Sequence, residues 1–335
     1  MENKSEKSDW FLVRFYKKNR EVIEKYARQY VEWLVSEFSE NFIPWLKTNW
    51  AFLTLVPFAV ILWFSLLAPI TAMFTMSEKP DIYNIVQYEG NGNSTIHAMM
   101  DPLNHISRDE VLMTNFWGVR FWNDNVYNQQ IGQFRMYRQI LFTFRDYIGR
   151  NRSSNGQNDD LITAHNEISP DSSSVYPVNF DFQVKKTIKA LERYQNNLEI
   201  DKEKPLHERE AVFIANSDNL AKSIRLWREQ LLSSSDPSLP VTFMNGDNDY
   251  MELRGDIISL YQFMKGIEPD YKTKMIEKGA YEESYLPLLE MMKVIIERKP
   301  FFITEFIQHH VTSLRGNSQA LATKMNEFAS KLDDG

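Results

Sequence analysis

Apolar residues recur every three or four positions along much of the chain, which is the spacing of one face of an α-helix. After residue 125 these stripes cover 131–148, 180–198, 210–232, 251–267, 282–297 and 302–333. No segment alternates apolar and polar residues over a sustained stretch, and no repeat of fixed period occurs. The pattern predicts an all-α fold, in which residues 77–335 form a bundle-like domain of six or seven helices.

One segment is apolar without interruption. Residues 48–77 carry no formal charge, and residues 50–74 alone are long enough to cross a bilayer as a helix. Buried helices of soluble proteins seldom have such long apolar runs, so a transmembrane helix over 49–76 is the favoured interpretation. A core helix of a soluble protein is the alternative. The residues assigned to this membrane anchor are Trp50, Pro57, Trp63 and Pro69.

The distribution of positive charge predicts how the chain is oriented. Residues 1–48 contain nine Lys and Arg, about twice the density of the remainder. Because positively charged flanks stay in the cytoplasm, the N-terminus is expected there. The sequence therefore predicts a single-pass protein of the bacterial inner membrane, with residues 77–335 in the periplasm.

Residues 1–48 form a predicted cytoplasmic helical arm that is rich in aromatic residues. Pro44 is expected to interrupt its helix before the membrane. A segment this short has little core of its own, so the aromatic side chains are expected to contact the bilayer or a partner. The alternative is a helical hairpin that closes on itself. The aromatic residues concerned are Trp10, Phe11, Phe15, Tyr26, Tyr30, Trp33, Phe38, Phe42 and Trp45.

Two regions of the larger domain lack a helical stripe. Residues 80–125 are irregular in pattern, and residues 151–174 are rich in Ser, Asn and Asp. The second region is predicted to be a flexible polar loop. Between them, Asn125 and Asn128 are candidate caps for a helix that begins near Gln129, and Gly149 is a candidate C-cap.

Composition and motifs exclude several classes of function. The net charge of −7 argues against a general nucleic-acid binder, since phosphate neutralisation needs excess basic charge. The chain has no Cys, and no dinucleotide, phosphate-loop, serine-hydrolase or zinc-protease motif. The run 245–256 only partly matches a calcium loop, because Tyr250 occupies the position that requires Gly. No catalytic residue, metal or cofactor is assigned, and a non-enzymatic role is favoured with the question left open.

Several runs resemble one known family. They are DNVYNQQIG (124–132), FRDYIGRNRSS (144–154) with Asp160 and Leu161, LERY (191–194), SDNL (217–220), Arg254 with Gly255, and GIEPDY (266–271). In this order they resemble the bacterial domain-of-unknown-function 2333 family of uncharacterised membrane-anchored proteins. The resemblance covers roughly residues 110–300, with Tyr127 standing where the family usually has Pro. It implies one N-terminal membrane helix before a larger domain, and it supplies no catalytic residues.

Two hypotheses about function follow. The first is a structural, scaffold or accessory subunit of a cell-envelope membrane complex, whose partners are the lipid bilayer and either a membrane protein or a second copy of this chain. The second is a periplasmic domain that binds or modifies a cell-wall or lipid component. The second requires one cleft, for which the candidate residues are Trp117, Trp122, Asp124, Asn125, Asn128, Arg145 and Asp146. A purely structural interpretation is that Arg145 and Asp146 form ion pairs with neighbouring helices.

Overall fold

The computed structural model describes Lys25, 28–33, 35–62, Ile85, Val86, Tyr88, 92–108, 124–149, 157–169, 180–201, 211–236, Ser238, 246–298 and 304–333. Over these residues the chain is helical apart from turns and short connections, and it contains no strand. The all-α prediction is therefore confirmed for the described part of the chain. Contacts divide the chain into two compact units, Met1–Pro69 and Ile70–Gly335.

The first unit is described as a nearly continuous helical rod. A π-helical segment, Glu37–Phe42, leads into α1 (Ile43–Thr48) and then α2 (Trp50–Leu62). The expected break at Pro44 is wrong: Pro44 lies in the first turn of α1, and the helix runs on without a gap. A proline lacks the N–H donor, and the first turn of a helix tolerates that loss. The turn comes later, at Asn49.

The second unit contains nine described α-helices, which is more than the six or seven predicted. The helices are α3 (Asn93–Arg108), α4 (Asp124–Thr143), α5 (Asp159–Ile168), α6 (Phe180–Ile200), α7 (Ser217–Ser234), α8 (Gly246–Gly266), α9 (Glu268–Glu277), α10 (Leu286–Glu297) and α11 (Thr304–Asp333). A short π-helical segment, Phe144–Ile148, extends α4, and another, Tyr281–Tyr285, precedes α10.

Helix α5 corrects the prediction of a flexible polar loop over 151–174. Asn158 caps it by accepting hydrogen bonds from the N–H groups of Asp160 and Leu161. Leu161, Ala164 and Ile168 then bury one face at helical spacing. The polar composition concealed a short amphipathic helix, and the remaining residues of that predicted loop, 151–156 and 170–174, lie outside the described part of the chain.

Three predicted boundaries also change. Helix α4 begins at Asp124, so Asn128 lies inside the helix and does not cap it. Helix α7 begins at Ser217, capped by the Asn216 side chain, and Ala211, Val212 and Phe213 before it are buried without being helical. Helix α11 runs through Gly316 without interruption.

Helices α4 and α8 form the centre of the second unit, and they pack against each other more extensively than any other described pair. At their crossing, a Cβ on Gly132 would overlap the carbonyl oxygen of Glu252, and one on Gly255 would overlap that of Gln129. The two glycines therefore allow backbone-to-backbone contact. Helix α8 also packs against α3, α7, α10 and α11, and one continuous apolar core extends from Ile96 to Leu332.

Candidate functional site

A buried ionic cluster joins α4 to α8 beside the glycine crossing. Arg135 donates from Nε and Nη2 to the two carboxylate oxygens of Asp256, at 3.1 and 2.7 Å, and from Nη1 to Glu252 at 2.9 Å. The Asp256 side chain is fully buried. Burial acts to lower the pKa of Arg135, but the carboxylates outweigh it and raise that pKa. The forked geometry fixes the register of the two helices.

A second buried guanidinium belongs to Arg254, the residue that precedes Gly255 at this crossing. Arg254 on α8 donates from Nη2 to the carbonyl oxygen of Ile296 at 2.9 Å, in the last turn of α10. Burial lowers the pKa of Arg254. The C-terminal end of a helix carries partial negative charge, so a cation there satisfies a carbonyl that lacks a helical partner. This contact ties α10 to the central helix.

A third cluster contains two residues that the sequence marked as candidates. Arg145 forms a two-point ion pair with its neighbour Asp146, at 2.7 and 3.1 Å, and its Nη1 donates to Nδ1 of His165 at 3.1 Å. Asp146 also accepts from Gln157 at 2.5 Å. Burial lowers the pKa of His165, and the Arg145 cation acts in the same direction. The cluster connects the end of α4 to α5, with its polar groups bonded to each other.

A histidine–aspartate pair, which the sequence analysis missed, lies on α3. His97 Nδ1 is 3.0 Å from Asp101, and His97 Nε2 is 3.0 Å from the side-chain nitrogen of Gln195. The Tyr88 ring stacks on the His97 ring at 3.5 Å, while its hydroxyl donates to Asp101. The sequence signal for this pair is the spacing of four residues between His97 and Asp101, which places both side chains on one face of a helix. Gln195 and Tyr88 cover the imidazole, so both of its nitrogens already have partners.

The residues proposed to share a cleft do not meet at one place. Asn128 donates to Asn248 at 2.6 Å, whereas Arg145 and Asp146 lie at the far end of the same helical rod, about 25 Å away at helical rise. Arg145 and Asp146 form their ion pair with each other, and Arg145 contacts the neighbouring helix α5 through His165. The side chains of Asp124 and Asn125 are not described, and Trp117 and Trp122 lie outside the described residues.

The arm and anchor residues are only partly described. Tyr30, Trp33, Phe38, Phe42, Trp45 and Trp50 are all exposed, and Pro57 lies inside α2. Trp10, Phe11, Phe15, Tyr26, Trp63 and Pro69 lie outside the described residues. Among the helices that the structure describes, none is both long enough and apolar enough to span a membrane.

Metal-binding groups do not converge in the described residues, where no group of three His, Asp or Glu side chains is placed to hold an ion. Within the weak calcium-loop pattern at 245–256, the described residues 246–256 form the first turns of α8. There Asp249 pairs with Arg315 at 3.2 Å. A regular helix spreads alternate side chains around its axis, so it cannot fold them around one ion as a calcium loop does.

An apolar groove lies on the outer face of α10. It has a volume of about 720 Å³ and runs beside Pro287, Met291 and Val294, with Glu290 and Arg298 at its edges. Val294 is 59% exposed. Exposed apolar surfaces of this kind are candidate interaction surfaces.

The runs that carry the family resemblance contact one another. Asn219 in the SDNL run donates to the carbonyl oxygen of Tyr147 at 2.9 Å, and Arg193 in the LERY run donates to Asp160 at 2.8 Å. Gly132 and Gly255 meet at the crossing of α4 and α8. These residues therefore have structural roles, in holding the helices of this domain together.

The features above define an all-helical domain whose helices are joined by buried polar clusters and which carries an exposed apolar groove. Residues 107–237 match the model of a family described as uncharacterized proteins conserved in bacteria, DUF2333. The resemblance to that family is therefore confirmed over these residues. The runs at 254–255 and 266–271 lie beyond the matched residues. No curated protein and no solved structure matches the chain significantly.

Proposed function

We propose that this protein is a single-pass protein of the bacterial inner membrane, with its N-terminus in the cytoplasm and its helical domain in the periplasm. The domain would serve as a structural or accessory subunit, a scaffold within a cell-envelope membrane complex. The proposal combines the uncharged run 48–77 and the basic arm before it with the exposed apolar surface of the first unit.

The exposed apolar surface of α2 is the observation that carries the proposal. Trp50, Leu55 and Phe58 are each more than 60% exposed, and Val56 is 41% exposed. Leaving apolar area in water costs about 25 cal/mol per Å², so a helix of this kind needs a lipid or protein environment. A bilayer supplies that environment on all sides of the helix at once.

The arm supports a contact with lipid or with a membrane protein. Phe38 packs on Phe42, at 4.8 Å between ring centroids, and Phe42 packs on Trp45, at 6.1 Å. All three rings remain exposed. Aromatic and apolar side chains of this density favour the membrane interface or a protein surface over water.

The experiment is a membrane extraction combined with a topology measurement on the full chain in a Gram-negative cell. Because the chain has no Cys, single exposed cysteines can be introduced as Ser39→Cys and Asn326→Cys. We expect the protein to stay in membranes after an alkaline carbonate wash. A membrane-impermeant maleimide should label Asn326→Cys in intact spheroplasts, but Ser39→Cys only after permeabilisation.

Two outcomes would contradict the proposal. Release of the protein by carbonate would show that residues 49–76 do not span the bilayer. Labelling of Ser39→Cys in intact spheroplasts, with Asn326→Cys protected, would show the reverse orientation and place the helical domain in the cytoplasm.

A further inference from the structure

The outer face of α10 carries a regular pattern of apolar and charged residues. Pro287, Met291 and Val294 follow one another at spacings of four and three, so they lie on one side of the helix. Glu290 lies four positions before Val294, and Arg298 lies four positions after it. The face is thus an apolar strip with an acid toward one end and a base toward the other.

Several charges along this face have no charged partner within the described part of the chain. Glu290 and Glu297 form no ion pair with any described residue, and the Arg298 guanidinium donates to the neutral hydroxyl of Ser313, at 3.2 Å. This differs from the interior, where Arg135, for example, is matched to two carboxylates. The charges on α10 are therefore available to a partner that approaches the groove.

The order of these charges makes the face complementary to itself. When two identical helices pack antiparallel about a two-fold axis, positions equally far before and after the axis face each other. With the axis at Val294, Glu290 of one copy lies opposite Arg298 of the other, and the same pair forms a second time by symmetry. Val294 lies opposite its own counterpart, and Met291 lies against the methylene groups of Glu297 in the second copy.

We propose that this face of α10 binds the same face of a second copy of this chain, in an antiparallel two-fold arrangement centred on Val294. Reciprocal pairing of opposite charges around a central apolar contact favours an identical partner over a bilayer. The acids Glu290 and Glu297 balance the bases Lys293 and Arg298, so an anionic lipid surface has no net attraction to this face. The inference does not rest on the proposed membrane anchor, because it uses only α10 and the groove beside it.

The contact is small, and this determines how it should be measured. Helix α10 has 12 residues and is therefore about 18 Å long, so its outer face buries less area than the roughly 800 Å² per partner of a standard stable interface. We expect a dimer that exchanges readily in solution. Covalent capture in the full chain is then a more direct measurement than elution volume.

The first experiment uses a single cysteine at the proposed axis. In the otherwise cysteine-free full chain, Val294→Cys should give a disulfide-linked homodimer under mild oxidation. Ile276→Cys is the matched control, because Ile276 on α9 is similarly exposed, at 56%, and lies outside the groove. Dimer at position 294 and little at 276 supports the proposal. Equal capture at both positions, capture of a different protein alone, or no dimer at 294 would each overturn it.

The second experiment tests the charge register in the Val294→Cys background. Glu290→Arg and Arg298→Glu should each lower the yield of linked dimer several-fold, because each places like charges opposite one another. The double variant restores opposite charges across the axis, so its yield should return toward that of Val294→Cys. Failure of the double variant to recover, with its helical content unchanged by circular dichroism, would overturn the proposed register and with it the two-fold axis at Val294.

Discussion

At the residue scale, the polar side chains of the second unit act mainly as connectors between helices. Asp270 on α9 accepts hydrogen bonds from the backbone N–H groups of Gly92 and Thr95 and from the Thr95 hydroxyl, so it caps the start of α3. Tyr194 on α6 donates to the carbonyl oxygen of Val212, at 2.8 Å. Each contact satisfies a backbone group that a helix end or a connection leaves unpaired.

His165 makes the stability of the protein depend on pH. Burial and the Arg145 cation lower its pKa in the folded chain, so the unfolded chain binds a proton more readily as the pH falls. The stabilising contribution of neutral His165 is therefore complete above its ordinary pKa of about 6.5, and it is lost between that value and the lowered one. We expect the free energy of unfolding to fall between pH 7.5 and pH 5.5, as measured by urea denaturation.

The control for this effect is His165→Gln, which keeps a polar side chain beside Arg145 and cannot titrate. Its free energy of unfolding should fall less than that of the parent over the same pH interval. A parent and variant that lose stability equally would show that other groups cause the dependence and that His165 is protonated as easily in the folded chain as in the unfolded one.

At the element scale, close approach between helices depends on a few small residues. Gly132 and Gly255 allow α4 and α8 to touch along their backbones, and Gly266 lies against Ala98 of α3. The forked pairing of Arg135 with Asp256 then prevents these helices from sliding past each other. Glycine lowers helix propensity, so its use inside two adjoining helices is explained by the space it leaves.

A pair of glycine substitutions tests this explanation. Gly132→Ala places a methyl group against the Glu252 carbonyl, so we expect a loss of about 1–3 kcal/mol or more in the free energy of unfolding. Gly316→Ala meets no heavy atom within 4 Å on α11, and its higher helix propensity should raise stability by about 0.5–1 kcal/mol. Denaturant titrations of both variants give the comparison. Effects of the same sign would contradict the close crossing of α4 and α8.

At the scale of the whole molecule, each unit has to be considered separately. The second unit has one continuous apolar core, to which all nine of its described helices contribute. The described residues of the first unit have no buried side chain. Stability of the folded domain is therefore expected to come from the second unit alone, and the first unit requires an apolar environment from elsewhere.

The shared core predicts that a defect in the last helix destabilises the whole second unit. Phe328 on α11 is fully buried and packs on Tyr285, with ring centroids 5.7 Å apart. Phe328→Ala should lower the free energy of unfolding by about 3–5 kcal/mol. Hydrogen exchange should show faster exchange in distant helices such as α5 as well as in α11.

The matched control is Phe182→Ala on α6, where the ring is 55% exposed. This substitution should lower the free energy of unfolding by less than about 1 kcal/mol. Little buried area is lost, and the contact with Lys186 is a surface cation–π contact. If Phe328→Ala accelerated exchange only in α11, the core would not behave as one cooperative unit.

The periodicity of the chain was sufficient to predict most of the helices. The stripes beginning at Ile131, Phe182, Leu253 and Leu286 correspond to α4, α6, α8 and α10, because one face of each helix is buried and its spacing is a local property. Helix α5 was missed, since its buried stripe of three residues stands among Asp and Asn. Helix α3 lies in the region 80–125, whose pattern is irregular, because Pro102 and several polar residues weaken its apolar stripe.

The contacts between helices could not be predicted in this way. Arg135 and Asp256 are 121 positions apart, Thr95 and Asp270 are 175 apart, and no local pattern identifies either as a pair. Asn128 and the pair Arg145 and Asp146 belong to two of the runs that carry the family resemblance. Asn128 lies near the start of α4, whereas Arg145 and Asp146 lie in the π-helical segment at its other end. Amino-acid order alone thus set which residues are helical, which faces are apolar and where the uncharged segment lies. Only the tertiary structure decided which polar groups meet, because their meeting depends on the packing of helices that are distant along the chain.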